Sequence, residues 1–369
     1  MVLIYVEKIA LDTYIVNKKI PVNSPLVDQF SRTISYLRLS LTDRCNLRCS
    51  YCMPDIPGET DPRTGKVRTG SFLNQTDLLS YEELLRVVRL AVSMGMNKIR
   101  LTGGEPLVRK GILDFIGQLA LLDGLEQVRL TTNGVLLAEF AERLYEGGIR
   151  HINVSLDTLH PEKFKKITGG DFFARVWKGL QVAKDIGFKI KLNVVAMKGV
   201  NDDEFEDFGR LALEQPFQVR FIEFMPVGAQ NSGQKDQFVR AEEIKSRIAE
   251  LGVLTPFRKE YGEGPARMFN LQSEDNRIGA VGFISPISHH FCDQCNRLRL
   301  TSEGKLRACL LNDSETDLKL LLRGNASDAD IIGSIRATIL AKPQGHTLQD
   351  NSTSPERQSC CGRMSRIGG

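Results

Sequence analysis

The sequence predicts an α/β protein, a partial (β/α)6 TIM-like barrel followed by a C-terminal α+β region. Three observations carry that prediction. From residue 35 to about 255, β-rich runs alternate with helical stretches, the pattern of repeated βα units around a parallel sheet. Near residue 256 the alternation gives way to short strands separated by Gly-rich turns. With 41% hydrophobic and 25% charged residues and 32 glycines, the chain has the composition of a folded protein with a full core.

The elements follow in order. Residues 1–34 are read as an N-terminal extension without a recognisable motif, and residues 35–255 as the barrel. Strands are expected at Tyr36–Leu41, Lys98–Thr102, Gln127–Thr132, His151–Leu156, Lys189–Val195 and Val219–Phe224. The helical stretch Tyr81–Gly95 ends on glycine, as helices often do. AEFAERLYEGG closes on Gly147–Gly148 in the same way, and DDEFEDFGRLALEQ opens with carboxylates that favour a helix N-terminus. Residues 55–79 are rich in Pro, Gly and Asp and read as a long loop. Six units fall two short of a closed barrel, so an open curved sheet is expected. Residues 256–342 form the C-terminal region, with a helix near Ala329–Leu340, and residues 343–369 form a tail.

Alternation within the strands identifies one polar face, because residues i and i+2 point the same way. It carries Arg38, Ser40 and Thr42, then Arg100 and Thr102, then Arg129, Thr131 and Asn133. Asn153, Ser155, Asp157, Lys191, Asn193 and Arg220 continue it. An ordinary barrel lumen is filled with Val, Ile and Leu. Basic side chains at strand ends can simply reach solvent, but five strands each contributing a base favour a lumen that holds an anionic ligand.

The charge balance, 49 Lys+Arg against 45 Asp+Glu, is only +4. That argues against a dedicated binder of nucleic-acid polymers and leaves room for a local basic pocket. No run of 18 apolar residues suggests a membrane span. The first 34 residues show neither a secretory signal nor a transit-like start, so a cytoplasmic protein is expected, or a mitochondrial-matrix one in a eukaryote. In such a compartment eight cysteines need a reason other than disulfides. Cys45, Cys49 and Cys52 form one cluster and Cys292, Cys295 and Cys309 a second, with Cys360–Cys361 near the end.

Cys45-Asn-Leu-Arg-Cys49-Ser-Tyr-Cys52 is a C-x3-C-x2-C motif directly after the first strand, where barrel active sites are built. Structural zinc asks for four ligands, and no fourth lies nearby. Three thiolates suit a cubane iron–sulfur cluster with one iron left open. This motif, with Tyr51 before the last cysteine and Thr102-Gly103-Gly104-Glu105-Pro106 after the second strand, resembles the radical S-adenosylmethionine superfamily. The resemblance implies reductive cleavage of S-adenosylmethionine to a 5′-deoxyadenosyl radical. It also implies that the Gly-Gly-Glu segment meets the methionyl ammonium, for which an acidic side chain is suited.

The second triad, Cys292-Asp-Gln-Cys295 and then Cys309, also lacks an evident fourth ligand, although His289 or His290 would complete a zinc site. Arg297 and Arg299 share a strand face and form a guanidinium pair suited to phosphate, or else a solvated face. Taken together, YLRLSLTDRCNLRCSYCMP, RLTGGEPLVR, LTTNG, INVSLDTL, RFIEFMPVG, FCDQCNRLRLTSEGKLRACL, KPQGH and the terminal IGG are similar to the GTP 3′,8-cyclase family of molybdenum cofactor biosynthesis.

That resemblance implies two [4Fe–4S] clusters, S-adenosylmethionine and GTP. It places Tyr51, Gly104, Ser155 and Met225 against S-adenosylmethionine. Arg38, Arg100, Thr131, Lys191, Arg297, Leu298 and Arg299 would bind GTP. Arg220 would work with Gly368 and Gly369 in cyclisation, and the open iron of the second cluster would take guanine. In the implied reaction the 3′-hydrogen of GTP is removed and C3′ attacks C8. The resemblance further implies an external electron donor, a downstream cyclic pyranopterin monophosphate synthase, and room for a homodimer. Two other functions stay open at this stage, a radical enzyme modifying peptides and a zinc or electron-transfer module without radical chemistry.

Overall fold

The computed structural model describes residues 26–52, 72–225, 227, 235–257, 264–346 and 364–368. Most of the N-terminal extension, residues 53–71 of the expected long loop, Cys360, Cys361 and Gly369 lie outside the described residues. The strands are β1 (Tyr36–Ser40), β2 (Lys98–Thr102), β3 (Gln127–Thr132), β4 (His151–Ser155), β5 (Lys189–Ala196), β6 (Gln218–Glu223), β7 (Val253–Pro256), β8 (Arg267–Gln272), β9 (Ile278–Ile284), β10 (Arg297–Leu300), β11 (Lys305–Arg307) and β12 (Thr316–Asp317). They form one sheet in the order β12-β11-β10-β1-β2-β3-β4-β5-β6-β9-β8-β7. All six expected barrel strands are present within one residue of the boundaries read from the sequence.

The two parallel strands that the six-unit pattern lacks come from the C-terminal region. β10 runs parallel to β1 on one edge and β9 parallel to β6 on the other. Each carries an antiparallel extension, β11–β12 and β8–β7 respectively. The C-terminal region therefore shares the barrel's sheet, and the boundary expected at residue 255 falls inside β7. Periodicity could not show this, because a strand's partner is set by long-range pairing.

Local signals explain the helices. Ser80 caps Tyr81–Ser93 by accepting from Glu83 N at 3.2 Å, while Glu83 Oε2 accepts from Ser80 N at 2.7 Å, a reciprocal capping box. Ser327 and Asp330 form the same device at Asp328–Leu340, one residue earlier than expected. The apolar face of the strands (Leu37, Leu39, Leu101, Leu130, Val154, Leu192) packs under the helices against Val88, Phe115, Leu144 and Leu180. The opposite, polar face lines the interior.

The N-terminal extension is corrected in its described part. Leu26 and Ile34 are buried, and Asp28 and Arg32 form a buried ion pair at 2.5 Å. This stretch is built into the fold beside the second cysteine triad, since Arg32 donates to the Cys292 carbonyl at 2.8 Å.

Gly279 reports on the packing of β9. A Cβ there would lie 2.5 Å from Ala212 O and 2.9 Å from Leu213 N in the helix Phe205–Glu214. Both are backbone atoms that cannot swing aside. Gly279→Ala should therefore destabilise the protein by about 1–3 kcal/mol, read as a lowered denaturation midpoint at unchanged m-value. An unchanged midpoint would mean that β9 does not pack under that helix.

Candidate active site between two cysteine triads

Register across the parallel strands builds the site. Arg299 of β10 lies beside Arg38 of β1, Arg38 beside Arg100 of β2, and Arg100 beside Arg129 of β3. Four arginines thus stand in one row on neighbouring strands about 4.8 Å apart. On the other side Asn153 pairs with Lys191, and Asn193 with Arg220. The resulting cavity, about 180 Å³, is lined by six arginines (38, 100, 129, 220, 297, 299) and Lys191, and no Asp or Glu is among its lining residues.

The partners seen for these cations are mostly neutral. Arg100 donates to Thr131 Oγ1 at 3.2 Å and to the Tyr36 hydroxyl. Arg129 donates to Gln127 Oε1 at 3.0 Å, and Arg220 to Asn193 Oδ1 at 2.7 Å. Burial, with Arg299 next to it, holds the Arg38 guanidinium well below its usual pKa. Arg299 is pushed down to about 10 by burial and then by Arg297. Burial alone would raise the Tyr36 phenol, but Arg100 and Arg38 bring it down to about 8. A buried cluster of this sign is complementary to a polyanion.

The first triad sits beyond the C-terminal end of β1. The segment after β1 runs beside the Gly-Gly-Glu segment, with Gly104 N donating to Thr42 O at 2.6 Å and Glu105 N to Arg44 O at 2.8 Å. A Cβ at Gly103 would lie 2.5 Å from Thr42 O, and one at Gly104 would collide with Arg44 O. Both glycines are required by this close approach. The Glu105 carboxylate is fully buried and accepts from Leu107 N, Thr132 Oγ1 and Asn133 N at 3.0, 2.8 and 2.7 Å. Those bonds make it a brace between β2 and β3.

All three sulfurs are free and partly buried. Burial pushes the thiols up, Cys45 to about 11 and Cys52 to about 12, with Cys49 also raised. As bare groups they stay protonated, and a bound cationic core would displace those protons. Three Cys donors in a dry site, braced by Asn133 Nδ2 on Cys45 Sγ at 3.5 Å, fit an iron–sulfur cluster with one open iron. Tyr51 donates to Asp157 Oδ2 at 2.7 Å. Asn133 and Asp157 were on the polar face in sequence but had no role assigned. Their motifs, LTTNG and INVSLDTL, were the available signal.

The second triad lies at the opposite end of the strands. Cys295 precedes β10, and Cys309 follows β11, whose Arg307 pairs antiparallel with Arg299. Cys292, Cys295 and Cys309 all line the cavity. β1, spanning about 13 Å at roughly 3.3 Å per residue, separates the two ends. The C-terminal region therefore closes the end remote from the first triad, not the mouth. Cys295 would be raised by burial, but Arg297 and Lys342 bring it down to about 6. This donor set also fits a three-cysteine cluster. Among the described residues the one tight single-ion grouping is His290, Cys292 and His346, so the histidine nearest this triad is His290 with His346, and His289 instead faces Glu242 at 3.1 Å.

The other expected residues fall as follows. Thr131 is on the inner face beside Arg100, Met225 lines the cavity, and Ser155 ends β4. Leu298 is fully buried in the core, so only its backbone is available to a ligand, as alternation along β10 requires. Arg297 stacks on Phe291 at 5.1 Å and lines the cavity. Gly368 lies between Ser40 and Thr102, and its carbonyl accepts from Arg299 Nη1 at 2.5 Å. Arg299 thus holds the described end of the tail, because β10 lies next to β1 at the tail's point of entry.

Comparison with known proteins agrees with this layout. Residues 39–212 match the Radical SAM superfamily model, and residues 217–348 match Molybdenum Cofactor Synthesis C. A GTP 3′,8-cyclase of Thermodesulfovibrio yellowstonii is 47% identical over 93% of this chain and 99% of that protein. One from Heliobacterium modesticaldum is 44% identical over 93% of this chain and 100% of that protein. Streptococcus suis SuiB bound to S-adenosylmethionine shares the fold at a TM-score of 0.53 and 15% identity, over 86% of this chain and 72% of that one.

Cys49→Ser should halve the iron of anaerobically reconstituted protein, from about eight per chain to about four, and abolish release of 5′-deoxyadenosine. Release at the wild-type rate would show that this triad is not the S-adenosylmethionine site.

Proposed function

This chain belongs to the GTP 3′,8-cyclase family of the radical S-adenosylmethionine superfamily, and from that premise we propose how its residues divide the work. The reaction is the cyclisation of GTP to 3′,8-cyclo-7,8-dihydro-GTP, the first step of molybdenum cofactor synthesis. The cationic row Arg299–Arg38–Arg100–Arg129 supports placing the nucleotide between the two triads.

When bound, the first cluster and S-adenosylmethionine supply a 5′-deoxyadenosyl radical that takes the 3′-hydrogen of GTP. Cys45, Cys49 and Cys52 hold that cluster. With Glu105 buried, the methionyl ammonium is met by backbone carbonyls of the Gly103–Gly104 segment, while Tyr51, Ser155 and Met225 face the cofactor. Arg38, Arg100, Lys191, Arg297 and Arg299 neutralise the triphosphate, with Thr131 orienting Arg100. Cys292, Cys295 and Cys309 hold the second cluster, against which the guanine is seated. Bringing C3′ onto C8 requires the ribose and base to be held folded at about 3–3.5 Å, and Arg299 with Gly368 forms one wall of that enclosure. The cleavage is reductive, and the nucleotide radical left when C3′ bonds C8 takes up a second electron and a proton to give the dihydro product, so an external donor must supply two electrons per turnover. The cyclic product passes to an enzyme that forms cyclic pyranopterin monophosphate.

Reduced, reconstituted protein given GTP and S-adenosylmethionine should yield a cyclised isomer of GTP, separated by chromatography and identified by the C3′–C8 bond in its NMR spectrum. Release of 5′-deoxyadenosine with GTP unchanged would overturn the substrate assignment.

Removing Gly368 and Gly369 should leave iron content and GTP binding near wild type while lowering cyclised product about a hundredfold, the scale of a 1 Å misplacement at a reacting centre. Product formed at the full rate would show the tail to be an ordinary chain end.

A further inference from the structure

The KPQGH segment and the buried pair Asp28 and Arg32 have no part in the division of work above, yet they meet at the second triad. Lys342 is 2% exposed. Its Nζ donates to Arg297 O at 2.9 Å and to Ala308 O. Those two carbonyls belong to the facing ends of β10 and β11, the chain positions that carry Cys295 and Cys309. The ammonium lies near enough to both sulfurs to interact with them electrostatically.

Arg32 completes the ring from the other side. Its Nη1 donates to Cys292 O at 2.8 Å and to Gln344 O at 2.9 Å, and its Nη2 to Pro343 O at 2.7 Å. Asp28 fixes the guanidinium from behind at 2.5 Å and accepts from Phe30 N and Arg32 N. The backbone N–H of His346, at the end of the same segment, donates to Cys292. The carbonyls of Cys292, Arg297 and Ala308 are thus each held by a buried cation, and Arg32 joins segments 312 residues apart in sequence.

We propose that Lys342 and Arg32 are positioning residues of the second cluster, a buried cationic collar that sets the three cysteines at cluster spacing and favours the reduced state. The inference rests on the second triad holding a cluster. Two features of the collar carry it. Residues just outside a ligand shell orient the ligands, and their loss typically weakens metal affinity by 10–100-fold. A buried cation next to a cluster also lowers the energy of an added electron, since charge and hydrogen bonds at the sulfurs set the potential. Lys342 supplies charge beside Cys295 and Cys309, and Arg32 supplies order beside Cys292.

The test uses reconstituted full-length Lys342→Met and Lys342→Arg, with iron content, thermal denaturation and an EPR-monitored redox titration of each cluster. Lys342→Met should either lose four of the eight iron, leaving the first cluster's signal, or keep all and become harder to reduce. In the second case the reduced-to-oxidised ratio of the second cluster at fixed potential should fall about tenfold, or about 59 mV for one electron. Lys342→Arg should restore wild-type iron and potential. Arg32→Leu combined with Asp28→Leu, which leaves no buried charge unpaired, should loosen the second cluster alone. Full iron and an unmoved potential in Lys342→Met would overturn the proposal, as would equal loss of both clusters, which marks a general folding role. Wild-type protein holding only four iron would instead overturn the second-cluster assignment itself.

Discussion

Repulsion among the arginines on the inner face is the constraint on which the rest of the structure depends. Arg299, Arg38, Arg100 and Arg129 occupy adjacent strands in register, and like charges side by side on one face are destabilising. At a separation of several ångströms and an effective dielectric constant near 20, each contact costs on the order of a few kcal/mol. The row persists because the apolar face of the same strands is packed under a full layer of helices, which fixes the register and with it every inward side chain. A ligand carrying several negative charges relieves that repulsion. Affinity for a polyanion and strain within the sheet are therefore opposite sides of one arrangement.

The same sheet separates the two chemistries in space. The first triad follows the C-terminal end of β1, and the second is held at the other end by β10 and β11. Because β10 is parallel to β1, the C-terminal region delivers Arg299 into the row and its own cysteines to the far end in one stroke. The tail then enters near Ser40 and Thr102, where Gly368 has a φ of 80° and no room for a Cβ. It is held there by Arg299, one of the four arginines in the row. The tail and the cationic row thus share the Arg299 guanidinium.

Glu105 shows how much of a motif's geometry its own sequence leaves unstated. The Gly-Gly-Glu segment does line the approach to the first triad, and its glycines are demanded by backbone contacts. Its carboxylate instead bridges β2 to the turn after β3, and burial raises its pKa to about 7. Whether a side chain faces a cavity or a neighbouring backbone depends on where the next strand places its N–H groups. That is not written in the local sequence.

Much was legible in the chain by itself. Period-two alternation gave the six barrel strands and the polar face, because side-chain direction in a strand follows from local geometry alone. Spacing gave both cysteine triads, since ligands for one cluster must lie within a few residues or on adjoining strands. Tertiary structure decided what pairing decides. It made β9 and β10 the missing parallel strands, put the second triad at the far end of the barrel, and set Arg299 against the Gly368 carbonyl. It also folded Asp28–Arg32 and Lys342 around Cys292, Cys295 and Cys309. Those contacts join segments hundreds of residues apart, and no local pattern encodes them, because their energy is realised only once the sheet has brought its two edges to the same cavity.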